Sequence, residues 1–481
     1  MSRPYDLVVL GGGTAGLVSS VIAAGIGARV ALVERERTGG DCLWTGCVPS
    51  KSLIAAAQLA HRMRHAERVG LTPVRPEIDF AGVMARVHHA IATIEPHDSP
   101  ARLRAEGVEV IEGEGRFVDR STLDVGERRI RFASAIIATG SEPAVPPLDG
   151  LNGPDVLTTE TLWAERELPS RLVVLGGGPI SCELGQALAR LGSRVVLVEL
   201  AGRLLLKEEP AAGALIAERL AADGVDVRLR TRAVEVRRAP EGPPALVLEG
   251  PNGRETMPFD RILVATGRRP RTAGIGLDLA GVEIDARGAI AVDDRLRTSA
   301  PRIFAAGDVT ARLPFTHVAA HHARVAAVNA LLGTRRSVDE TIPWVTFTDP
   351  EVAHVGLTEA DARERWGDRA IVARSGYATL DRAITEGEPR GFAMLVADPR
   401  GRLVGATVAA PGAGEAIAEL TARVKHADKI DRLSSTVHAY PTLAEGPARA
   451  ADEHLRLRYA SPRYRALARP VLAVRRVLAR A

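Results

Sequence analysis

The chain has 481 residues, of which 46% are hydrophobic and 25% are charged, and its formal net charge is only +4. This length is sufficient for about three domains, and the small net charge gives no reason to expect a nucleic-acid partner. No apolar run is long enough to span a membrane and no signal peptide precedes the first predicted strand, so we expect a cytoplasmic protein in a reducing compartment. In that compartment closely spaced cysteines favour a catalytic or metal-binding role over a structural one.

A glycine-rich motif follows the first predicted strand. Residues 5–10 form a short apolar strand that enters the run Gly-Gly-Gly-Thr-Ala-Gly and then a helical segment to about residue 27. A second strand, residues 29–33, ends in an acid 21 residues after the third glycine of that run. This is the dinucleotide-binding pattern, with a tight turn, an approach for the pyrophosphate, close helix–strand packing and an acceptor for ribose hydroxyls. The candidate binding residues are Gly11, Gly13, Thr14, Ala15, Gly16 and Glu34.

The same pattern occurs a second time. The strand at residues 171–175 leads into another run of three glycines, and the strand at 194–198 ends in Glu199, 21 residues after Gly178. Two such folds predict two bound dinucleotides. Ser181 replaces the last glycine of the second copy, and its side chain is small enough to keep the helix close to the strand. The candidate binding residues of this copy are Gly176, Gly178, Ile180 and Glu199.

Two of the three cysteines, Cys42 and Cys47, are separated by four residues. This spacing is about one helical turn, so the two sulfurs can meet if the segment is helical. A disulfide that closes so short a loop restricts the unfolded chain very little, so stabilisation is a poor reason for it. The spacing therefore predicts a redox-active pair. Cys182, on the helix after the second glycine run, is expected to be a buried packing residue.

Together these motifs resemble the flavin-dependent pyridine nucleotide–disulfide oxidoreductases, the group of glutathione reductase, dihydrolipoamide dehydrogenase and mercuric reductase. The resemblance covers residues 4 to about 450. Besides the two glycine runs and Glu183, it rests on Cys42-x4-Cys47-Val-Pro-Ser-Lys51, Ala138-Thr139-Gly140, Ala265-Thr266-Gly267-Arg268 and Ala305-Ala306-Gly307-Asp308. It implies an α/β fold with two Rossmann-like, glutathione reductase-type dinucleotide-binding domains and a C-terminal α/β dimerisation domain.

The resemblance also implies a domain order. We expect an FAD-binding domain with the redox cysteines at 1–148, an inserted NAD(P)-binding domain at 149–270 and a return to the FAD-binding domain at 271–335. A dimerisation domain is expected at 336–450, followed by a basic tail at 451–481. The implied cofactors are FAD and either NADH or NADPH, and the implied assembly is a homodimer.

Residue roles follow from the resemblance by position. Cys47 is the sulfur beside the flavin and Cys42 is the outer sulfur that meets the substrate, while Lys51 and Glu183 match a pair beside the flavin. Asp308 is expected to bind a ribityl hydroxyl. Further residues are expected to contact the cofactors: Gly40, Asp41, Lys51, Thr139, Gly140, Gly267, Arg268, Gly307 and Val318.

The preferred nicotinamide coenzyme is predicted from Glu199. A carboxylate at this strand end accepts from a 2′-hydroxyl and repels a 2′-phosphate, which favours NADH. Arg203 and Lys207 are near enough in sequence to reach a phosphate, so NADPH remains open. Pro179 stands where glutathione reductases carry a tyrosine that covers the empty nicotinamide pocket, so that lid is expected to be missing.

The C-terminal motif departs from the disulfide-reducing members. They carry His-Pro-Thr-x-x-Glu, in which the His protonates the leaving thiolate, whereas this chain has Tyr440-Pro-Thr-x-x-Glu445. Tyrosine, with a reference pKa of about 10, is a poor proton donor near neutrality. Mercuric reductases also have tyrosine here. His438 remains a candidate acid–base, since residues 438 and 440 share a face in an extended chain.

Three electron acceptors stay open: a metal ion, a small disulfide or dithiol of the dihydrolipoyl type, and a quinone or oxygen. A metal-ion reductase like mercuric reductase is preferred, although the C-terminal cysteine pair and N-terminal metal-binding domain of those enzymes are absent from this sequence. A redox-silent nucleotide-binding protein is disfavoured because the redox cysteines, Lys51 and Glu183 are present. No resident metal site is expected, and His317, His321 and His322 are interpreted as surface or packing residues. The segment from Arg456 to Ala481 has eight arginines and no acid, which is compatible with weak contact to a membrane surface or with a tail that is packed on the dimer or partly disordered.

Overall fold

The computed structural model describes residues 3–238 and 242–479. The strands, in chain order, are β1 (Tyr5–Leu10), β2 (Val30–Glu34), β3 (Glu109–Glu112), β4 (Gly115–Asp119), β5 (Thr122–Val125), β6 (Arg128–Ile137), β7 (Ser141–Pro143), β8 (Val156–Leu157), β9 (Arg171–Leu175), β10 (Arg194–Val198), β11 (Asp226–Arg228), β12 (Arg232–Arg237), β13 (Ala245–Gly250), β14 (Gly253–Pro258), β15 (Arg261–Val264), β16 (Arg268–Pro270), β17 (Ile303–Ala305), β18 (Pro343–Thr346), β19 (Glu351–Gly356), β20 (Ile371–Gly376), β21 (Phe392–Ala397) and β22 (Leu403–Ala410). The α-helices are α1 (Thr14–Gly25), α2 (Gly40–Trp44), α3 (Cys47–Arg64), α4 (Phe80–Ile94), α5 (Pro100–Ala105), α6 (Pro179–Leu191), α7 (Pro210–Ala222), α8 (Leu277–Ala280), α9 (Thr316–Leu332), α10 (Glu359–Trp366), α11 (Asp381–Thr385), α12 (Ala413–Lys425), α13 (Ile430–Ser434), α14 (Glu445–Ala460) and α15 (Pro462–Leu478).

The chain divides into two compact units, each assembled from separate stretches of sequence. The first consists of Met1–His61, Pro76–Gly202 and Asp223–Glu340. The second consists of Arg62–Arg75, Arg203–Ala222 and Thr341–Ala481. Both glycine motifs therefore belong to one unit, and the boundaries between the dinucleotide-binding domains stay a prediction.

The first unit contains a seven-stranded sheet centred on β1. β2 and β6 run parallel to β1 on its two sides, β3 extends the sheet beyond β2, and β17 pairs with β6. β5 and β4 add an antiparallel extension. Apolar side chains are buried on both faces, with Val8 on one face and Leu7 on the other. A parallel strand covered on both sides reads as a continuous apolar run, which explains the Val-Val-Leu sequence of β1.

The second glycine motif lies in a separate parallel sheet of the same unit. Its strand order is β11-β10-β9-β15-β8, and α6 begins directly after the glycine run that follows β9. A three-stranded antiparallel sheet, β12-β13-β14, and the pair β16-β7 complete the unit. Strands β1, β9 and β10 have the bounds that the sequence predicted.

The second unit is built on an antiparallel sheet with the order β18-β19-β22-β21-β20. α12, α13 and α14 contribute to its apolar core, in which Tyr377, Leu395 and Leu420 are almost wholly buried. α7 and the loop before it belong to this unit, and the Trp344 indole donates to Glu208 Oε1 at 2.6 Å.

The cysteine segment differs from the single helix that the spacing suggested. α2 ends at Trp44 and α3 begins at Cys47, so the two cysteines lie on different helices. At the break the Asp41 carbonyl accepts from the backbone N–H of both Thr45, at 3.0 Å, and Gly46, at 2.6 Å. The second bond spans five residues, so α2 ends in a widened turn of the π type.

The arginine-rich tail is helical. α14 ends at Ala460, and α15 begins at Pro462 after Ser461, whose hydroxyl accepts from the Tyr464 backbone N–H. Within residues 3–238 and 242–479, we find no helix with both the length and the apolar character that crossing a membrane requires.

Candidate active site

The two N-terminal cysteines form a thiol pair with unequal acidity. Both are free thiols, with Cys42 on α2 and Cys47 at the first position of α3. A hydrogen bond from Cys42, together with Thr316 and the charge of Lys51, outweighs burial and lowers the pKa of Cys47 to about 6. The same hydrogen bond and burial raise the pKa of Cys42. Cys47 is therefore the thiolate of the reduced pair, and Cys42 keeps its proton.

Lys51 places a positive charge one turn after Cys47. Its Nζ lies 2.8 Å from Glu183 Oε2, and the Glu183 side chain is only 7% exposed. The ion pair joins α3, which carries Cys47, to α6, which follows the second glycine run. The structure thus brings together the four residues predicted around the redox centre, within the first unit.

The first glycine motif forms a cradle with the properties that a dinucleotide requires. Gly11 has a φ of +108°, and a Cβ on Gly16 would lie 1.8 Å from the Gly11 carbonyl oxygen. A Cβ on Gly13, in contrast, would meet only the Cα of Gly40, at 3.8 Å, which leaves room for a pyrophosphate at the start of α1. Glu34 Oε2 accepts from the Gly12 N–H at 2.6 Å, so its carboxylate lies against the motif. These residues fit FAD.

A polar cluster completes this cradle around Asp308, whose carboxyl pKa is raised by burial. The Ser141 hydroxyl donates to Asp308 Oδ2 at 2.8 Å, and Arg268 Nε donates to the same hydroxyl at 2.7 Å. Arg268 also lies 3.3 Å from Asp41. Most of the other predicted contacts flank this cluster in the sequence or lie on α9: Gly40, Thr139, Gly140, Gly267, Gly307 and Val318. Ala15 lies on α1, where its Cβ would be 3.3 Å from a Cβ placed on Gly307.

The second glycine motif provides a comparable opening at the start of α6. No atom lies within 4 Å of a Cβ placed on Gly178, and the Ser181 hydroxyl donates to the Ala265 carbonyl at 3.4 Å, which keeps the helix against the strand. Glu199 Oε1 accepts from the Ala201 N–H at 2.6 Å at the end of β10. The arrangement fits the adenosine ribose of a nicotinamide coenzyme.

Arg203 has a different environment from the one expected. Its guanidinium donates to the backbone carbonyls of Leu205 at 3.0 Å, Leu206 at 2.6 Å and Glu208 at 3.1 Å. These bonds use three of the five N–H donors of the guanidinium and hold it against the backbone, which weakens the case for NADPH through Arg203.

The C-terminal motif lies in the second unit, and its three predicted residues have separate partners. The Tyr440 hydroxyl donates to Asp381 Oδ2 at 2.8 Å, whereas His438 Nε2 lies 2.9 Å from Glu419 Oε2. Glu445 Oε2 accepts from the Thr442 N–H at 3.1 Å. Tyr440 is thus hydrogen-bonded to Asp381, while Glu445 accepts from the backbone near the start of its own helix.

Four of these partners were not predicted from the sequence: Thr316, Ser141, Asp381 and Glu419. Thr316 had a usable signal, since it opens the helix that follows the Gly307-Asp308 motif. Asp381 and Glu419 lie 59 and 19 residues from their partners and carry no motif.

The three clustered histidines have packing and backbone roles. His321 Nε2 accepts from the Asp339 N–H at 2.8 Å, His322 Nδ1 accepts from the Gly307 N–H at 3.4 Å, and His317 stacks on Phe315. Among the residues that the structure describes, no group of three or more His, Cys, Asp or Glu side chains is arranged to hold a metal ion.

Comparison with known proteins agrees with the fold. Residues 5–323 match the family model for pyridine nucleotide-disulphide oxidoreductases, and residues 342–451 match the dimerisation domain of that family. The chain is 38% identical to a mercuric reductase from Streptomyces lividans, covering 93% of this chain and 96% of the relative. It is also 38% identical to a dihydrolipoyl dehydrogenase from Thermus scotoductus, covering 94% and 97%.

A solved structure shows the same fold. The Cu(II) complex of the HOCl-induced flavoprotein disulfide reductase RclA from Escherichia coli matches with a TM-score of 0.84 and 28% identity, over 94% of this chain and 100% of that one. The dimerisation-domain match supports a homodimer. The protein is an enzyme that uses FAD and NAD(P)H. With its fold, its cysteine pair and both family models in agreement, the chain belongs to the pyridine nucleotide-disulphide oxidoreductase family.

Proposed function

We propose that this enzyme reduces a thiophilic metal ion with electrons from NAD(P)H. The observation that carries the proposal is Tyr440, which stands where disulfide-reducing relatives have an acid–base histidine. The hydrogen bond that Tyr440 donates to Asp381 raises its pKa. A phenol that holds its proton this firmly is a poor donor to a leaving thiolate near neutral pH.

Reduction of a metal ion removes the need for that proton donor. Soft ions bind thiolates, and Cys42 and Cys47 supply two sulfurs close together. FAD, when bound, carries two electrons between NAD(P)H and the cysteine pair. For mercury the overall reaction balances as NADH plus Hg(II) giving NAD⁺, one proton and Hg(0).

The relatives support this reading without separating it from the alternative. A mercuric reductase and a dihydrolipoyl dehydrogenase are equally similar to the chain at 38% identity, and the RclA structure holds Cu(II). Because overall similarity is balanced, the residue at position 440 decides our preference.

A second candidate function is reduction or oxidation of a small disulfide or dithiol, and the His438–Glu419 pair favours it. The imidazole is 14% exposed and lies 2.9 Å from the Glu419 carboxylate. A carboxylate that orients a histidine is the usual arrangement of a general acid–base. In this case the proton donor would have moved two residues upstream of its family position.

For the coenzyme we propose NADH, on the strength of Glu199 and the occupied guanidinium of Arg203. We also propose the cytoplasm as the location, because both the NAD(P)H supply and a reduced cysteine pair are found there.

The test is a steady-state comparison of Hg(II), Cu(II), lipoamide, small disulfides, quinones and oxygen as acceptors. Each is measured with wild type, Tyr440→Phe, Tyr440→His and His438→Ala. Tyr459→Phe is the matched control, since Tyr459 is another exposed tyrosine in the second unit. We expect Hg(II) or Cu(II) to give the highest kcat/KM. Tyr440→Phe should lower it by removing a hydroxyl that binds or orients the metal ion, and Tyr440→His should not restore it.

If small disulfides or lipoamide were the best acceptors, the second candidate function would be supported instead. Tyr440→His would then raise disulfide reduction tenfold or more, as expected when a general acid is added. A large loss of disulfide reduction confined to His438→Ala would show that His438 is the acid. Turnover with quinones or oxygen alone would contradict both candidates.

A further inference from the structure

The C-terminal helix α15 is amphipathic, and none of its residues is buried. Four apolar side chains follow one another at steps of four, three and four residues, and each is 60–70% exposed: Leu467, Val471, Val474 and Leu478. At 3.6 residues per turn these positions fall within an arc of about 60°. We call this set the apolar stripe. A continuous apolar stripe exposed to water usually marks a contact surface.

Three of the arginines of α15 lie on the side opposite the apolar stripe. Arg465, Arg469 and Arg476 fall within an arc of about 40° centred roughly opposite the apolar stripe, and Leu472 lies about 20° outside that arc. Arg463 and Arg475, which lie on the two flanks of the apolar stripe, bring the total in α15 to five, and the segment 456–481 has no acid. In the part of the chain that the structure describes, we find no acidic partner for any of these five arginines.

The start of α15 is fixed to the helix before it. The rings of Tyr459 and Tyr464 meet edge to face at 5.0 Å, and the Arg458 guanidinium lies 5.6 Å from each ring centroid. Arg458 is in turn 3.1 Å from Asp431 on α13. The helix is therefore held at its first turn, whereas every described residue after Ala468 is exposed.

We propose that α15 lies flat on an anionic lipid surface, with the apolar stripe among the acyl chains and the arginines at the headgroups. A second copy of the helix is a poor occupant, because pairing would bring two strongly basic segments together without an acid to balance them. A nucleic acid would match the arginines but would leave the apolar stripe in water. An anionic membrane satisfies both halves of the helix.

The geometry is that of surface binding. Seventeen residues of helix extend about 25 Å, and arginines recur along that whole length, so α15 does not cross the bilayer. Its flexible, aliphatic arginine stems can lie along the interface while the charged groups remain at the phosphates.

The experiment is flotation of the full-length, FAD-loaded enzyme with vesicles at low salt. One set of vesicles is pure phosphatidylcholine, and the other is an equal mixture of phosphatidylcholine and phosphatidylglycerol. We expect binding to the mixed vesicles only, and loss of that binding in Val471→Asp/Val474→Asp. Replacing Arg465, Arg469 and Arg476 by Gln should weaken binding by about fivefold per arginine.

Leu279→Asp/Ile284→Asp is the matched control, because both residues are exposed aliphatics outside the tail and the active site. It should bind like wild type. If Val471→Asp/Val474→Asp fails to fold, as judged by its flavin content, a chain ending at Ser461 replaces it.

Three results would overturn the proposal. The first is that the wild-type enzyme fails to float with the mixed vesicles. The second is that Val471→Asp/Val474→Asp binds the mixed vesicles as strongly as wild type, which would mean that the arginine charges alone cause the binding. The third is that Val471→Asp/Val474→Asp or the chain ending at Ser461 changes from dimer to monomer, which would mean that the apolar stripe packs against the partner subunit instead of a membrane.

Discussion

The Thr316 hydroxyl lies 3.3 Å from the sulfur of Cys47, although 269 residues separate them in the sequence. Thr316 is the first residue of α9, so the thiolate also faces the positive end of a helix dipole. Cys47 is thus stabilised by a hydroxyl, a helix terminus and the charge of Lys51, while Cys42 keeps the proton.

Thr316→Val should raise the pKa of Cys47 by about one unit, the equivalent of about 1.4 kcal/mol, because the thiolate loses a hydrogen-bond donor. The measurement is the pH dependence of the long-wavelength thiolate–flavin absorbance in the reduced enzyme, whose midpoint in wild type is expected near pH 6. Thr316→Ser, which keeps the hydroxyl, should titrate like wild type. If Thr316→Val and Thr316→Ser had the same titration midpoint, the Thr316 hydroxyl would not be stabilising the Cys47 thiolate.

Breaking the Lys51–Glu183 pair should destabilise the fold. Lys51→Met leaves the nearly buried Glu183 carboxylate without its cation, and we expect a loss of about 1–3 kcal/mol, with the partial exposure of Lys51 limiting the effect. Thermal unfolding of Lys51→Met, Glu183→Leu and the double variant checks this. The double variant should be more stable than Lys51→Met alone. If the losses of the two single variants simply added up in the double variant, the two side chains would not interact directly.

Coenzyme choice should depend on Glu199. Glu199→Ala removes the carboxylate that repels a 2′-phosphate. The ratio of kcat/KM for NADPH to kcat/KM for NADH should therefore rise about 5- to 30-fold, which corresponds to roughly 1–2 kcal/mol. Arg203→Ala should leave the ratio unchanged, because the guanidinium donates to three backbone carbonyls. A fall in NADPH use by that variant would show that Arg203 reads the phosphate after all.

Glu208 should make stability depend on pH. Burial, opposed by the hydrogen bond from Trp344, raises the pKa of this carboxyl to about 7. The unfolded value is about 4.3, so the folded state loses stability as the pH rises from about 4.5 to about 7, by on the order of 3 kcal/mol.

Glu208→Gln mimics the protonated carboxyl and should flatten that dependence, giving a higher Tm than wild type at pH 8 and a similar one at pH 4.5. Glu364→Gln, at an exposed position, is the control for a general charge effect. Parallel Tm curves for wild type and Glu208→Gln would show that Glu208 is not the responsible group.

The carboxylate that matters for disulfide chemistry can be identified by comparing Glu419→Gln with Glu445→Gln. His438 is bound to Glu419, whereas Glu445 accepts from the Thr442 backbone N–H. Any residual disulfide reduction should therefore fall in Glu419→Gln, by about tenfold, and change little in Glu445→Gln. Reduction of Hg(II) should be insensitive to both. A loss of disulfide reduction in Glu445→Gln alone would show that Glu445 is the carboxylate that acts in disulfide chemistry, as in the disulfide-reducing relatives.

Sequence patterns were sufficient for the parallel strands and for the glycine turns. β1, β9 and β10 are short apolar runs; β1 and β9 end directly before a glycine and β10 ends directly before Glu199, so their ends are dictated locally. The cysteine segment was harder to predict, because a spacing of five positions between the two cysteines is compatible with one continuous helix. The break between α2 and α3 depends on which backbone N–H groups donate to the Asp41 carbonyl. Spacing alone does not determine that choice.

The active site shows a similar division. Cys47, Lys51 and Glu183 could be predicted because their motifs are local and their chemistry is specific. Asp381 and Glu419 could not, since an aspartate or glutamate on a helix surface is common, and only the fold brings those two to Tyr440 and His438.

The pairing of β17 with β6 has a consequence for synthesis on the ribosome. β6 ends at Ile137, and β17 begins at Ile303, so the sheet around the first glycine motif lacks one of its parallel strands until more than three hundred residues have been made. The parallel sheet around the second glycine motif is encoded wholly within that interval, from β8 to β15. A nascent chain can thus complete the later sheet first, while the edge of β6 stays unpaired at residues 135–137 until β17 has been made.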